Sequence, residues 1–190
     1  YDRAKFEVAG HRWIDLSEGE YGVSLLNDCK YGFDTYQYTM RISLLRSSVM
    51  PDPVADEGTH EFVYSMYPHE GDWRKAETVR RAYELNAPLT AHMRDSHNGD
   101  MPKQYGFVSI DKSSVVVESV KKAEDSDSII IRLYEAHGTR GSLRLAFAEP
   151  PESVSECNLM EEGDEPVDLD GSVVKTTIAP WEIKTFKVTF

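Results

Sequence analysis

Cysteine is scarce in this sequence, and the glycosylation signal Asn-x-Ser/Thr is absent. Cys29 and Cys157 are the only two cysteines, so they do not form the dense disulfide framework of a small secreted domain. The sequence leaves open whether a single disulfide joins them. The chain also lacks a positively charged start followed by an apolar stretch, so no signal peptide is visible. Together these features predict a cytoplasmic protein.

Basic residues and long apolar runs are also in short supply. Lys and Arg number 21 against 33 Asp and Glu, which gives a formal net charge of −12. Phosphate-rich partners require clustered cations, so we predict that the chain binds no nucleic acid and no anionic membrane. A membrane-spanning helix needs about 20 consecutive apolar residues, and no run approaches that length. The simplest interpretation of the acidity is solubility.

Apolar residues that alternate with polar ones dominate what is present. This period of two is typical of a strand with one face on a core and the other in water. Clusters of Gly, Pro, Asp and Asn interrupt the runs at short intervals, which favours a mainly β fold, an antiparallel β-sandwich. Residues 1–8 already read as a strand, which suggests a piece of a longer protein. The clearest alternations are Met40, Ile42 and Leu44; Leu143, Leu145 and Phe147; and Phe186, Val188 and Phe190.

One short helix is predicted to interrupt the strands. Asp72 can cap a helix that runs from Trp73 to about Leu85, and Asn86 and Pro88 supply the stop. The segment Thr90–Gln104 that follows has no period at all, and we predict a long surface loop that is mobile or makes contacts. A domain sub-boundary is therefore placed near 88–104. The apolar stripe of the helix is predicted to contain Trp73, Ala76, Val79 and Tyr83.

Several motifs occur in an order that resembles a known family. They are His11-Arg-Trp-Ile-Asp-Leu-Ser-Glu18, Tyr21-Gly-Val-Ser-Leu-Leu-Asn-Asp-Cys-Lys-Tyr-Gly32, His60-Glu-Phe-Val-Tyr64, Tyr67-Pro-His69, Val120-Lys-Lys-Ala-Glu124, Arg132-Leu-Tyr-Glu-Ala-His-Gly138 and Glu182-Ile-Lys-Thr-Phe186. Together they resemble the C-terminal β-sandwich region of a glycoside hydrolase family 38 α-mannosidase of the cytosolic type. The resemblance extends from about His11 to Phe190.

The resemblance implies a supersandwich-like fold for residues 1–190 and a catalytic N-terminal domain that is absent from this sequence. The parent enzyme is expected to hydrolyse terminal α-D-mannose residues with retention, at a zinc site in that missing domain. Expected partners are the protein's own catalytic domain, mannose-containing glycans through the full enzyme, and further copies in a homo-oligomer. This fragment alone is predicted to be inactive.

The residues themselves offer no complete catalytic or metal site. The family's zinc motif His-x-Asp does not occur, so we predict no metal ligands and no cofactor in this fragment. His60 and His69 each precede a glutamate, but a zincin needs a second histidine four residues later. We interpret Glu61 as the outward residue of a strand. Lys30 could lower the thiol pKa of Cys29, yet no histidine lies near in sequence to act as its base.

The turn after Leu26 is the candidate site. Asn27, Asp28 and Lys30 fit the polar turn of a hairpin, and one interpretation gives them only that structural role. In the family, a C-terminal loop brings a cationic side chain to the bound mannose. Lys30 stands where related members carry Arg and lacks the planar fork of a guanidinium. The resemblance thus makes Asn27, Asp28 and Lys30 candidate substrate-binding residues in the full-length enzyme.

Two alternatives to this interpretation come from other classes of protein. Trp13, Trp73 and Trp181 with ten tyrosines could stack on sugars in a freestanding carbohydrate-binding module. Against this, Trp73 falls on the helical stripe and Trp181 follows Pro180 at a strand start, so both are predicted in the core. The chain could otherwise be a subunit-assembly domain, whose interface the sequence does not locate.

Overall fold

A computed structural model of the chain describes residues 7–190, which form two compact units that divide between Met93 and Arg94. Most of the strand predicted over residues 1–8 lies outside the described residues. The first described strand contains Val8. The division between the units falls inside the segment 88–104. No helix within residues 7–190 has the length and apolar character to cross a membrane.

The first unit contains two three-stranded antiparallel sheets and one helix. One sheet has the order β1-β4-β5 and the other the order β2-β3-β6. The helix packs against the second of these sheets. The elements are β1 (Val8–Ala9), β2 (Trp13–Glu18), β3 (Tyr21–Asn27), β4 (Gly32–Tyr36), β5 (Thr39–Ile42), β6 (Tyr64–Glu70) and α1 (Thr78–Asn86).

The second unit is a β-sandwich of a four-stranded sheet, β13-β14-β10-β7, and a five-stranded sheet, β12-β11-β15-β9-β8. All of the strand pairs are antiparallel, which confirms the predicted fold class. The strands are β7 (Val108–Ile110), β8 (Val115–Lys122), β9 (Ile129–Glu135), β10 (Gly141–Phe147), β11 (Ser153–Cys157), β12 (Glu165–Pro166), β13 (Leu169–Asp170), β14 (Val173–Ile178) and β15 (Ile183–Thr189).

The core of the sandwich is built from the inward residues of both sheets. Leu143 and Leu145 of β10 are fully buried, as are Phe186 and Val188 of β15, so the alternation predicted these contacts correctly. Phe190 follows the last strand and is 43% exposed. Because apolar burial is worth about 25 cal/mol per Å², this layer of aliphatic and aromatic side chains supplies much of the unit's stability.

The helix begins later than predicted. α1 starts at Thr78 rather than Trp73, because Glu77 adopts a left-handed conformation with φ 52° that a continuous helix does not allow. The Asp72 carboxylate accepts the Lys75 N–H at 3.0 Å and so caps the preceding turn instead of the helix. The predicted end was close, since α1 ends at Asn86.

The chain path through the first unit corrects two further predictions. β2 and β3 form a hairpin, but the polar turn that follows Leu26 does not join hairpin partners. It leads from β3 in one sheet to β4 in the other. Glu61 does not lie on a strand, because β6 begins only at Tyr64, whose side chain is 55% exposed.

The segment between α1 and β7 contains neither helix nor strand, and residues 87–106 are all exposed. This confirms a long surface segment at Thr90–Gln104. Its mobility and its contacts stay a prediction.

Candidate functional site

The turn that follows β3 is fixed by hydrogen bonds to segments on either side of it. Asn27, its first residue, is fully buried. The Asn27 side-chain oxygen accepts the backbone N–H of Lys30 at 2.7 Å. The backbone N–H of Asn27 donates to the carbonyl of Arg12 at 2.9 Å. The Asn86 side chain at the end of α1 donates to the Asn27 carbonyl at 3.0 Å. Asn27 therefore shapes the turn from inside and presents no surface of its own.

Asp28 attaches the turn to Val63, the residue that directly precedes β6. Its carboxylate accepts the N–H of Val63 at 3.0 Å, while its own N–H donates to the Val63 carbonyl at 3.1 Å. Hydrogen bonds from the Cys29 thiol and from the Val63 N–H lower the pKa of the Asp28 carboxyl below its usual value. The carboxylate is half-buried and charged at neutral pH.

Cys29 is exposed and Cys157 is half-buried. Both thiols are free, so no disulfide joins them. The hydrogen bond to Asp28 raises the pKa of the Cys29 thiol, and partial desolvation and the Asp28 charge act in the same direction. Lys30 does act to lower this pKa, as the sequence suggested, but its effect is the smallest of the four and the other three outweigh it. A raised pKa leaves less of the nucleophilic thiolate, so Cys29 is not an activated nucleophile.

Lys30 is the cation of the turn. Its ammonium lies 5.0 Å from the centre of the Phe62 ring, a distance at which a cation is attracted to the face of an aromatic ring. The residue is half-buried. Lys30 is thus held over Phe62 with part of its surface free for a further hydrogen-bond acceptor. Together with Asp28, it gives the turn one anion and one cation that can bond hydroxyl groups.

The histidines singled out in the sequence do not converge. His60 bonds the carbonyl of Asp56 at 2.9 Å, and His92 and His97 lie on the exposed segment after α1. Within residues 7–190 no group of three or more His, Cys, Asp and Glu side chains could hold a metal ion. The described residues therefore offer no ligand set for the zinc that the resemblance assigns to the catalytic domain.

A buried polar cluster beneath the β2-β3-β6 sheet was missed by sequence reasoning. His69 Nε2 lies 2.8 Å from Asp15 Oδ1 and 3.2 Å from Ser24 Oγ, and Ser24 Oγ lies 2.7 Å from Thr78 Oγ1. The same imidazole nitrogen faces the acid and the hydroxyl, so this is not a relay of the Asp-His-Ser type, which uses both nitrogens. His69 Nδ1 is buried with no hydrogen-bond partner among residues 7–190. The signal available in the sequence was the run of polar residues at alternate positions of β2.

A second buried acid organises one end of the sandwich. Glu135 is 1% exposed, and its carboxylate accepts N–H groups from His137, Gly138 and Trp181 and the hydroxyl of Thr139. Burial alone would raise the pKa of Glu135, but these hydrogen bonds outweigh it and lower the pKa to about 2.

The tryptophans do not lie where the sequence placed them. Trp181 is 60% exposed, which corrects the expectation that it belongs to the core. It has φ 61°, and its ring lies directly over Gly138, where a Cβ would come within 2.7 Å of the indole. Trp73 is half-buried, with its ring centre 5.1 Å from that of Trp13. These three rings therefore form no buried aromatic core, and Trp181 alone presents a large open surface.

Comparison with known proteins gives matches along most of the chain. Residues 114–186 match the family model described as "Glycosyl hydrolases family 38 C-terminal beta sandwich domain", and residues 1–54 match "Glycosyl hydrolases family 38 C-terminal domain". The chain is 38% identical over 193 residues to "Alpha-mannosidase G" of Dictyostelium discoideum, covering 98% of this chain. It is 39% identical over 188 residues to human "Alpha-mannosidase 2C1", covering 96% of this chain.

These relatives are much longer than the present sequence, since the match spans 18% of each. Among solved structures, a crystal structure of an alpha-mannosidase from Enterococcus faecalis superposes with a TM-score of 0.74 at 18% identity. That match covers 95% of this chain and 21% of the other. At this identity the similarity concerns the fold.

Proposed function

Because the chain belongs to the C-terminal region of glycosyl hydrolase family 38, we propose that it is the non-catalytic part of an α-mannosidase that packs on the catalytic domain and helps to complete the mannose site. The Asn27–Gly32 turn is the part of the chain that reaches the sugar. The hydrogen bonds that hold this turn are the observation that carries the proposal. Asn27 and Asp28 bond three separate segments around the turn, so Lys30 is presented from a fixed backbone.

The contribution of the turn is binding and orientation. The Lys30 ammonium donates a hydrogen bond to a sugar hydroxyl, and the exposed part of the Asp28 carboxylate accepts one from a neighbouring hydroxyl. A hydrogen bond to a charged group is worth about 1.5–3 kcal/mol. Backbone positions that are already ordered before the sugar arrives reduce the entropy cost of binding. Lys30 thereby raises the affinity for mannose without taking part in bond breaking.

The chemistry of the parent enzyme belongs to the segment outside these residues. We assign to that segment the pair of carboxylates that a retaining glycosidase needs, about 5–5.5 Å apart, and the zinc. Terminal α-D-mannose residues of glycans are the proposed substrate. A cytoplasmic location is supported by the similarity of the sequence to the cytosolic type and by the two free cysteines.

A substitution in the full-length enzyme tests the role of the turn. Lys30→Ala is expected to lower kcat/KM for a chromogenic α-mannoside by about ten- to a hundred-fold, with an unchanged melting temperature. Lys103→Ala, on the exposed segment 87–106, is the matched control and should leave both quantities unchanged. If Lys30→Ala has the same kinetics as the wild type, the turn has only a structural role.

A carbohydrate-binding role for the sandwich is the second candidate, and the exposure of Trp181 is the observation that favours it. A flat, fixed indole can stack on the apolar face of a pyranose. Calorimetric titration of the chain with mannose and mannobiose tests this role. Binding that is lost in Trp181→Ala would support it, and the absence of heat up to millimolar sugar would remove it.

A further inference from the structure

The β2-β3-β6 sheet has the reverse of the usual distribution of polarity. The strand register places eight side chains on the face that α1 covers, and most of them are polar. Ser24 on this face is fully buried and contacts Thr78 of the helix. A sheet with one covered face normally places its apolar residues there. The covered face contains two apolar residues, Trp13 and Leu26. Its other residues are Asp15, Ser17, Ser24, Ser65, Tyr67 and His69.

The opposite face is apolar, and much of it is exposed. Met66 is 71% exposed, Tyr64 and Tyr21 are each 55% exposed, and Leu16 is 40% exposed. Exposed apolar side chains that occur singly are ordinary, but this set is continuous across three neighbouring strands. Continuous apolar patches on protein surfaces mark interaction sites. Polar residues of this face, Glu18, Asn27 and Glu70, lie at the strand ends. Its other residues are Ile14, Leu16, Tyr21, Val23, Leu25, Tyr64, Met66 and Pro68.

One end of this open face is concave. A cleft of about 500 Å³ lies between the sheet and the β4–β5 hairpin of the same unit. Leu16, Val23 and Met40 contribute apolar walls, and Tyr21 and Tyr38 stand at its sides. Tyr38 is 89% exposed at the tip of the hairpin. A cleft of this kind accepts one bulky apolar side chain that protrudes from a partner.

We propose that the open face, defined by Ile14, Leu16, Tyr21, Val23, Leu25, Tyr64 and Met66, is covered by the remainder of the protein's own polypeptide. The occupant is an apolar β-rich surface with one protruding side chain for the cleft. The alignment with the relatives supports an intrachain partner, because the match takes in nearly all of this chain but only 18% of each relative. This inference rests on the proposed function, since it names the surface through which the region packs on the rest of the enzyme.

A partner within the same polypeptide would also supply the second layer that the apolar face of this sheet requires. A sheet that is apolar on one face requires a second layer, and domains are built from such packed layers. A covalently linked partner is present at a high effective concentration, so the surface stays covered at any dilution of the protein. A second copy would leave the face exposed whenever the protein is monomeric.

Thiol accessibility in the full-length protein tests this inference. In a background that carries Cys29→Ser and Cys157→Ala, Met66→Cys is compared with Met160→Cys, which lies on the sandwich unit where Met160 is 76% exposed. Modification is measured by mass spectrometry of the peptide that contains each position. We expect Cys at position 66 to react at least ten-fold more slowly than Cys at position 160 in the native protein, and equally fast in urea. Equal native rates would overturn the inference.

Two further measurements complete the test. Tyr64→Cys, on the same face, replaces Met66→Cys if that variant does not fold, and protection is expected there too. Protection that disappears on dilution to the monomer would show that a second copy covers the face and would overturn the assignment to the protein's own chain. The labelling does not depend on Lys30. Protection at position 66 together with wild-type kinetics of Lys30→Ala would support this surface and rule out the role of the turn. Equal labelling rates together with impaired kinetics of Lys30→Ala would overturn this surface and support the role of the turn.

Discussion

Glu135 Oε2 accepts the backbone N–H of Trp181 at 3.2 Å, although 46 positions separate the two residues. The same carboxylate accepts the N–H groups of His137 and Gly138, so it joins the turn after β9 to the turn before β15. A single buried acid thus holds two connections of the sandwich and keeps an exposed indole in a left-handed backbone conformation. Left-handed φ at a bulky residue is uncommon and persists when its surroundings fix it.

We predict that Glu135→Gln destabilises the sandwich unit. The glutamine amide places an NH2 group where a carboxylate oxygen now accepts N–H donors, so at least one buried donor loses its partner. The expected loss is about 2–3 kcal/mol, measured as a lower melting temperature or urea midpoint. Glu149→Gln, at an exposed position, is the matched control and should change stability little. A midpoint for Glu135→Gln equal to that of the control would contradict this role.

The stability that Glu135 contributes is expected to depend on pH. Its pKa in the folded protein is about 2, below the usual 4.5, so the contribution is fully present above pH 4.5 and is lost as the pH falls through about 2. A shift of this size corresponds to about 3 kcal/mol. Urea unfolding of wild type and Glu135→Gln at several pH values should show the difference between them shrinking below pH 4.5. A difference that stays constant down to pH 2 would refute this linkage.

Gly22→Ala is predicted to damage the polar cluster of the first unit. A Cβ at this position would come within 2.4 Å of the His69 ring and 2.5 Å of the Ser17 hydroxyl. Both side chains are part of the network around Asp15, so neither can move without losing a hydrogen bond. Overpacking of this kind costs about 1–3 kcal/mol.

The control for that prediction lies in the same unit. Gly32→Ala adds a Cβ only 3.4 Å from the nearest atom, a normal contact, and its stability should stay close to that of the wild type. Urea midpoints of the two variants provide the comparison. Equal midpoints would mean that the His69 ring is free to shift, and that the cluster is less rigid than its contacts indicate.

Asp28 provides a test of how the candidate turn is held. Asp28→Ala removes the acceptor of the Val63 N–H, so both thermal stability and activity of the full-length enzyme should fall together, the former by about 1 kcal/mol. Asp28→Asn keeps one side-chain oxygen for Val63 and is expected to retain the melting temperature. An Asp28→Ala variant that loses activity at an unchanged melting temperature would show that Asp28 contacts the substrate but does not hold the turn.

The sequence predicted those parts of the fold that depend on neighbouring residues. The strands around Leu143 and Phe186 follow from strict alternation, which is a local pattern, and their burial confirms it. The predicted start of α1 was wrong because Glu77 adopts a left-handed conformation, which its helix propensity does not indicate. Strand partners are chosen at long range, and this is why the path of the Asn27–Gly32 turn from one sheet to another was not predicted.

The features of the candidate site also divide into those that local sequence predicted and those that depend on distant residues. The polar composition of the turn was visible in the sequence, but the burial of Asn27 and the position of Lys30 over Phe62 depend on residues far along the chain. The clusters around His69 and Glu135 were missed because each joins residues more than 40 positions apart. Polar residues at alternate positions of β2 were the one local sign of the first cluster.

The exposed residues 87–106 determine where proteases are expected to cleave the polypeptide. They contain Arg94 and Lys103, both exposed on a backbone that no helix or strand protects. Exposed connecting segments of this kind are where proteases cut first. Brief trypsin treatment is therefore expected to cut the chain within residues 87–106 before it cuts the hydrogen-bonded sheets of either unit.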